Sequence, residues 1–157
     1  MRYRRSLLLH REDAPYGLVL RLITVLVPAA LLGTGAYLVS TGETEGGLVL
    51  FAETVVVALI FLAVFPRRYE VYEDHLRIAL GGPFGINIRF DQIERIEVTG
   101  RTAFTMNFVT RVTRTYVRIA RKRGIAIAIT PRSNEEFVTS ANQAIADWRR
   151  TRVAGAA

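Results

Sequence analysis

Two long apolar runs near the start of the chain constrain its fold more than any other feature. They cover residues 17–40 and 47–65 and are separated only by the polar turn Thr41–Gly46. A helix needs roughly 20 mostly apolar residues to cross the hydrocarbon core of a bilayer, and both runs reach that length. The sequence therefore predicts a transmembrane helical hairpin over residues 17–65, preceded by an N-terminal segment, residues 1–16.

Basic residues flank this hairpin, and acidic residues occupy its turn. Arginines are frequent before the first run and recur at Arg67 and Arg68, whereas the turn carries Glu43 and Glu45. Segments rich in Lys and Arg stay on the cytoplasmic side of a membrane. We therefore expect a multi-pass protein of the cytoplasmic membrane with both termini in the cytoplasm.

The N-terminal segment has two open interpretations. Leu7–Leu9 follow an arginine-rich start and precede a charged cluster. Three leucines are too few for the apolar core of a secretory signal. The segment either lies at the membrane surface, with leucines in the interface and arginines near lipid phosphates, or is a frayed terminus.

Two charged residues lie within the predicted spans. Arg21 is about one turn inside the first run, where its long side chain can reach the headgroups. Glu53 lies deeper in the second run, where an ionisable group is costly and marks a candidate functional position. Three interpretations of Glu53 are open. Its acid group is hydrogen-bonded to Thr34 or Thr54 inside the hairpin, or it contacts another membrane subunit, or it takes part in proton transfer.

Small residues four positions apart in the first run form a face that another helix can approach closely. The pairs are Ala29 with Gly33 and Ala30 with Thr34. Because the turn is short, the second run is the expected partner of this face. Self-association is the competing use.

From Arg67 onward the apolar residues recur with a period of two, which indicates strands. The predicted strands cover residues 68–73, 75–80, 85–90, 93–99, 113–121 and 124–130. Residues 101–112 are ambiguous, because Phe104, Met106 and Phe108 alternate with polar residues. They form either another strand or an apolar loop that contacts the bilayer or a partner.

A helix is predicted after the last strand. Ser133 and Glu136 have the spacing of a capping box, and Glu135 and Glu136 complement the positive start of a helix. Apolar residues then recur at helical spacing, so that one face should cover an open end of the sheet. Trp148 lies on this face and is expected to fill the core.

This order of six or seven short strands and one amphipathic helix resembles the pleckstrin-homology-like (PH-like) barrel. The layout is similar to the bacterial membrane-anchored PH domain family. The resemblance is carried by Tyr69–Tyr72 directly after the second span, Asp74–Ile78, Phe90–Ile93, Ile129–Pro131 and the pair Glu136-Phe137. It implies a membrane α-helical hairpin followed by a mainly β, α+β barrel of six or seven antiparallel strands. A C-terminal helix would cap this cytoplasmic domain over residues 67–152, leaving a tail over residues 153–157.

A cluster of basic residues is the strongest surface signal in the predicted domain. Its members, with one interleaved aromatic residue, are Arg111, Arg114, Tyr116, Arg118, Arg121, Lys122 and Arg123. Close to a bilayer such a cluster attracts anionic headgroups by about 1 kcal/mol per residue. Nucleic acid is the rival partner and is disfavoured by membrane tethering. In PH-like domains that bind phosphoinositides, cations surround the first hairpin turn. Here that turn is Glu73-Asp74, which departs from the pattern.

No residue pattern indicates catalysis or cofactor binding. The chain has no cysteine, and its two histidines, His10 and His75, lack metal-ligand spacing. Nucleotide-binding and nucleophile motifs do not occur. The sequence therefore predicts a non-enzymatic protein without metal or cofactor. It would act as a protein-binding scaffold or assembly module at the membrane, with a lipid-sensing module or a small accessory subunit of a larger complex as alternatives.

Overall fold

The computed structural model describes residues 6–100 and 105–154, which form a helical hairpin, two sheets of four strands each and a C-terminal helix. The helices are α1 (Leu18–Ser40), α2 (Thr44–Val64) and α3 (Asn134–Ala154). The strands are β1 (Leu8–Asp13), β2 (Arg68–Tyr72), β3 (His75–Ala79), β4 (Gly85–Arg89), β5 (Ile93–Thr99), β6 (Thr105–Phe108), β7 (Tyr116–Arg121) and β8 (Ala126–Ile129). This architecture is consistent with a PH-like fold and confirms the predicted fold class.

Helices α1 and α2 are candidate membrane spans. They contain 23 and 21 residues, and only 6% and 11% of their most apolar stretches are buried. Apolar side chains in the core of a soluble domain would be mostly buried. The exposed apolar surface of these two helices instead suits a lipid environment.

Glycines allow the two spans to pack closely. Gly35 and Gly47 are buried, and a Cβ on Gly47 would overlap Val39 Cγ2 and lie 2.7 Å from the Gly35 carbonyl oxygen. The expected packing of the other small-residue face against α2 is wrong, because that face lies away from the contact. The exposed residues of that face are Ala29, Ala30, Gly33 and Thr34.

The domain core lies between the two sheets and α3. The first sheet has the antiparallel order β1-β2-β3-β4, and the second has the order β5-β7-β8-β6, in which β6 pairs parallel with β8. Tyr69, Ile88 and Ile119 are among the fully buried side chains, and α3 adds Phe137 and Ala141. The alternation of apolar residues therefore identified the inward faces of most strands.

The first strand comes from before the membrane hairpin. Leu8–Asp13 pairs antiparallel with β2, so both interpretations of the N-terminal segment, as a membrane-surface segment or a frayed end, are wrong for these residues. The Ala14 N–H donates to the Arg67 carbonyl at 2.8 Å. Because the hairpin returns the chain to its starting point, the residues entering and leaving it become neighbours.

The start of α3 is held by the first strand. The backbone N–H of Ser133 donates to Glu12 Oε2 at 3.1 Å, whereas the capping-box prediction assigned this N–H to Glu136. The other carboxylate oxygen of Glu12 lies 3.0 Å from His10 Nε2. Glu12 therefore links the additional strand to the helix that closes the core.

Candidate functional site

The domain has two ends, which are defined by the direction of its strands. The membrane end adjoins the start of α1 and the end of α2. The distal end carries the β2–β3 turn at Glu73-Asp74, roughly 15 Å away at the other end of β2. The Phe90 N–H donates to the Asp74 carbonyl, and the Lys122 N–H donates to the Gln92 carbonyl. The β7–β8 turn therefore also lies at the distal end.

Two close contacts fix the membrane end on the helical hairpin. The Gly17 N–H donates to the Thr110 carbonyl at 2.8 Å, and the Thr110 hydroxyl donates to the Pro15 carbonyl at 2.8 Å. On the other helix, a Cβ added to Gly81 would overlap the Leu62 carbonyl oxygen. The domain therefore contacts both spans through its backbone.

The basic cluster predicted from the sequence is spread along the domain. Arg111 and Arg114 lie at the membrane end, whereas Lys122 and Arg123 lie beyond the other end of β7, roughly 17 Å away. Arg118 lies between them, and its Nη1 is 3.8 Å from Glu97 Oε1. The structure does not bring these cations together into one patch.

Two members of the predicted cluster are engaged inside the protein. Tyr116 is only 2% exposed, because β7 is a central strand between β5 and β8. Its ring is therefore not available to stack on a ligand. Arg111 Nη2 donates to the Pro131 carbonyl at 3.1 Å, so part of this guanidinium joins loop 109–112 to the start of α3.

Of the apolar residues Phe104, Met106 and Phe108 in the ambiguous segment, the structure describes the last two. Phe104 lies outside the described residues, and Met106 is 47% exposed on β6. Phe108 packs against the core, and its carbonyl accepts a hydrogen bond from the Tyr69 hydroxyl at 2.9 Å. The described part of 101–112 therefore contains a short strand, Thr105–Phe108, followed by a loop.

Other apolar side chains are exposed at the membrane end, and the sequence interpretation missed them. Val112 is 89% exposed next to a 420 Å³ cleft that it forms with the first turns of α1, and Phe84 is 58% exposed in the β3–β4 turn. Phe84 follows the Gly-Gly-Pro turn whose first glycine touches α2. The Gly-Gly-Pro turn was the feature of the sequence that could have indicated that Phe84 lies near the membrane.

The charged residues of the spans lie on their outer surfaces. Arg21 is exposed in the first turn of α1, and Glu53 is exposed near the middle of α2. Thr54, one of the proposed partners of Glu53, is buried and donates its hydroxyl to the Leu50 carbonyl at 2.8 Å. Within the described residues Glu53 has no hydrogen bond or ion pair, so the bond inside the hairpin is not observed.

A cavity of 560 Å³ opens at the distal end of the domain. It is lined by Ser6, Leu9, Glu73, Asp74, Ala144, Asp147, Trp148 and Thr151. The Trp148 ring packs edge-on against Phe90, and the Arg152 guanidinium carbon lies 4.7 Å from the Trp148 ring centroid. The Trp148 site therefore already accommodates a cation on its exposed face.

Asp74 on the rim of this cavity is held as a carboxylate. Burial acts to raise its pKa, but hydrogen bonds from His75 and Ser6 and the attraction of His75 outweigh it, so the pKa of Asp74 lies below its ordinary value. His75 Nδ1 lies 2.6 Å from Asp74 Oδ1 and its ring stacks on Tyr72. The distal cavity therefore keeps a negative charge at neutral pH.

The described residues contain no group of three or more His, Cys, Asp or Glu side chains that could hold a metal ion. The distal cavity has carboxylates, an aromatic ring and the hydroxyl of Ser6, which is hydrogen-bonded to Asp74. Its chemistry suits recognition of a cationic and apolar group by charge and stacking.

Comparison with known proteins identifies the class of this domain. Residues 67–142 match the sequence profile of a family described as bacterial PH domain. Two long apolar helices, which are candidate membrane spans, therefore precede a region that is similar to a bacterial PH domain. Searches of curated proteins and of solved structures found no significant match. The profile match begins after the hairpin, so β1 is contributed by residues that lie outside the matched domain.

Proposed function

We propose that this protein is a non-enzymatic module that binds a protein partner at the membrane through the distal end of its PH domain. The observation that carries this proposal is the distal cavity with its neighbouring apolar strand. Leu7, Leu8 and Leu9 are 62%, 41% and 50% exposed, and Leu9 lines the cavity next to Trp148. Exposed apolar side chains grouped beside an aromatic residue are typical of protein interaction surfaces.

The orientation of the domain supports this assignment. The contacts of Gly17 with Thr110 and of Gly81 with Leu62 hold the membrane end against the spans. The distal end then points away from the bilayer and toward the cytoplasm, given the arginines that flank the hairpin. A partner that arrives from the cytoplasm would meet this end first.

The rim of the cavity specifies the chemistry of the partner. Glu73, Asp74 and Asp147 supply carboxylates around Leu9 and Trp148. A segment that carries a lysine or arginine beside an apolar residue would satisfy both parts of this surface, because its cation can meet the carboxylates and its apolar side chain can pack on Leu9. The distal cavity is therefore the surface through which we expect the predicted scaffold to bind its partner.

Site-specific photocrosslinking in intact cells tests the proposal. A photoreactive residue at Leu9 should give one discrete adduct with another protein. The same residue at Val98, which is 38% exposed on the second sheet, is the matched control and should not give this adduct. Reversing the charge at the rim with Glu73→Arg and Asp147→Arg should reduce the Leu9 adduct at least five-fold. No adduct from Leu9, or equal adducts from both positions, would contradict the proposal.

Anionic lipid is a second candidate ligand, and a different surface favours it. Arg114 is exposed at the membrane end, close to the exposed side chain of Val112. A cation beside an inserted apolar side chain is a common arrangement at a bilayer surface.

The full chain in nanodiscs separates this candidate from the first. Arg114→Glu should lower the retention of anionic lipid in native mass spectra at least three-fold. Arg123→Glu, at the distal end, should leave retention unchanged. Equal losses in both variants would show a general charge effect and exclude a membrane-end lipid site.

A further inference from the structure

Glu53 is an acidic side chain on the lipid-facing surface of a candidate membrane span. It is exposed near the middle of α2, roughly 17 Å from the domain end of that helix, and has no partner among the described residues. Polar side chains at that depth are costly in lipid and normally face another protein segment. The position of Glu53 therefore points to a protein contact within the bilayer.

Thr34 on α1 has the complementary chemistry. Its side chain is exposed, and within the described residues its hydroxyl makes no hydrogen bond, whereas the hydroxyl of Thr24 donates to the Leu20 carbonyl. Ala30, one turn before Thr34, is also exposed and lies roughly 18 Å from the domain end of α1. A small residue at nearly the depth of Glu53 leaves room for an incoming carboxyl group.

Helical geometry places these three residues on one side of the hairpin. Gly35 on α1 and Thr54 on α2 face the opposite helix and are buried there. Thr34 and Glu53 each immediately precede one of these contact residues, and one position turns a helix by about 100°. Because α1 and α2 are antiparallel, a two-fold rotation about an axis perpendicular to both approximately superposes one helix on the other. This rotation places Thr34, which precedes Gly35, and Glu53, which precedes Thr54, on the same side of the hairpin.

We propose that this hairpin face docks against a second copy of the chain. A two-fold axis along the membrane normal places α2 of one copy opposite α1 of the other. Glu53 then faces Ala30 of the second copy at nearly the same depth, whereas Thr34 lies nearer the hairpin turn, roughly 24 Å from the domain end of α1. The same contact occurs twice. Each Cβ leans toward the N-terminus of its own helix, and the two N-termini lie on opposite sides of the membrane. The Glu53 and Thr34 side chains therefore lean toward each other, and the Thr34 hydroxyl donates to the Glu53 carboxyl.

This contact lies in the membrane and does not depend on what the distal cavity binds. An unrelated membrane subunit would not need Glu53 and Thr34 to share one side of the hairpin and to lie within roughly 8 Å of each other in depth. A second copy does need both features, because a face that pairs with itself must carry its own donor and acceptor. The arrangement of the two unpartnered groups is thus the reason to choose a second copy.

Cysteine crosslinking tests the dimer directly, because the natural chain has no cysteine. Val27 precedes Pro28 on the contact side of α1 and lies on the Glu53 side, whereas Val25 follows Thr24 and lies on the other side. Both valines are accessible, at 39% and 65% exposure. Because α1 of one copy lies opposite α2 of the other, each variant also carries Val57→Cys, four residues after Glu53 on the same side of α2 and at a similar depth to Val27. In native membranes, oxidation of Val27→Cys with Val57→Cys should give a disulfide-linked dimer at least ten-fold more abundantly than oxidation of Val25→Cys with Val57→Cys.

The role of Glu53 is tested in the background that carries both Val27→Cys and Val57→Cys. Glu53→Leu should lower the dimer yield at least five-fold, whereas Glu53→Gln keeps an acceptor oxygen for Thr34 and should retain at least half of it. Membrane levels of each variant are measured alongside, so that a loss of protein is not read as a loss of contact. Equal crosslinking at both cysteine positions, an unchanged yield with Glu53→Leu, or adducts only with a different protein would each overturn the proposal.

Discussion

At the residue scale, Gly81 determines how closely the PH domain can approach the membrane. Because Gly81 has no side chain, the Leu62 carbonyl of α2 can occupy the position where a Cβ would lie. A change of rotamer cannot relieve this clash, because the Cβ position is fixed by the backbone of residue 81 and the Leu62 carbonyl is itself a backbone group. The glycine is therefore required by a contact between domain and span.

Gly81→Ala should lower the free energy of unfolding by about 3 kcal/mol or more, because the turn has to move away from α2. The neighbouring Gly82 is the matched control. It has a φ of 67° and open space where a Cβ would lie, so Gly82→Asn should cost far less. Thermal unfolding of the full chain in detergent compares the two, and equal losses would contradict the assignment of the clash.

Asp74 gives the distal end a predictable response to acid. Its pKa lies below the ordinary value of 3.8, so the folded state favours the carboxylate. The resulting stability is present above pH 3.8 and is lost as the pH falls through the lowered pKa. The melting temperature of the natural chain should therefore fall more between pH 5 and pH 3 than that of Asp74→Asn. Parallel melting curves of the two proteins would contradict this prediction.

Single residues also show which features of the structure the sequence patterns could not predict. The alternation of β7 correctly placed Val117 and Ile119 in the core, but it could not reveal that Tyr116 on the opposite face is covered as well. Burial of that face depends on which strands are neighbours, and those pairings join distant parts of the chain. Glu53 was identified from its depth in an apolar run, whereas the side of the helix it occupies needed the packing of α1 on α2.

At the element scale, β1 is the part of the fold that the sequence did not predict. Its residues include His10, Arg11, Glu12 and Asp13, which lack the apolar alternation of a buried strand. It is an edge strand, and its partner β2 follows only after the whole helical hairpin. Strands β2 to β5, by contrast, each pack apolar residues of their own and were predicted within a residue or two.

The attachment of β1 to α3 can be tested with two adjacent acidic residues. The Glu12 side chain is only 10% exposed and accepts from the Ser133 N–H, whereas the Asp13 side chain is 83% exposed and lies 3.5 Å from Arg68 Nε. Glu12→Ala should destabilise the protein by about 1–3 kcal/mol, because a partly buried donor loses its acceptor. Asp13→Ala should cost little, because an exposed ion pair contributes at most about 1 kcal/mol. Denaturant unfolding in detergent measures both, and equal costs would argue against a structural role for Glu12.

At the scale of the whole molecule, the pairing of β1 with β2 requires the two outer ends of the helical hairpin to lie on the same side of the membrane. We expect that side to be the cytoplasm, because arginines flank the hairpin. A periplasmic reporter enzyme fused after Ala157 should therefore be inactive, and the same reporter inserted in the turn after Gly42 should be active. Activity of the C-terminal fusion would invert the proposed topology.

The β1–β2 pairing also determines when the first sheet can be completed during synthesis of the chain. β1 leaves the ribosome before the spans, and its partner leaves after them, so the strand must wait while both helices are synthesised. Insertion of the helices brings Ala14 next to Arg67, and a pairing that is distant in sequence becomes a short closure. A chain whose spans fail to insert would lack this closure, and the more apolar β2 would replace the charged β1 as the edge strand of the sheet. We therefore expect the sheet to be completed most readily on chains whose helices are already in the membrane.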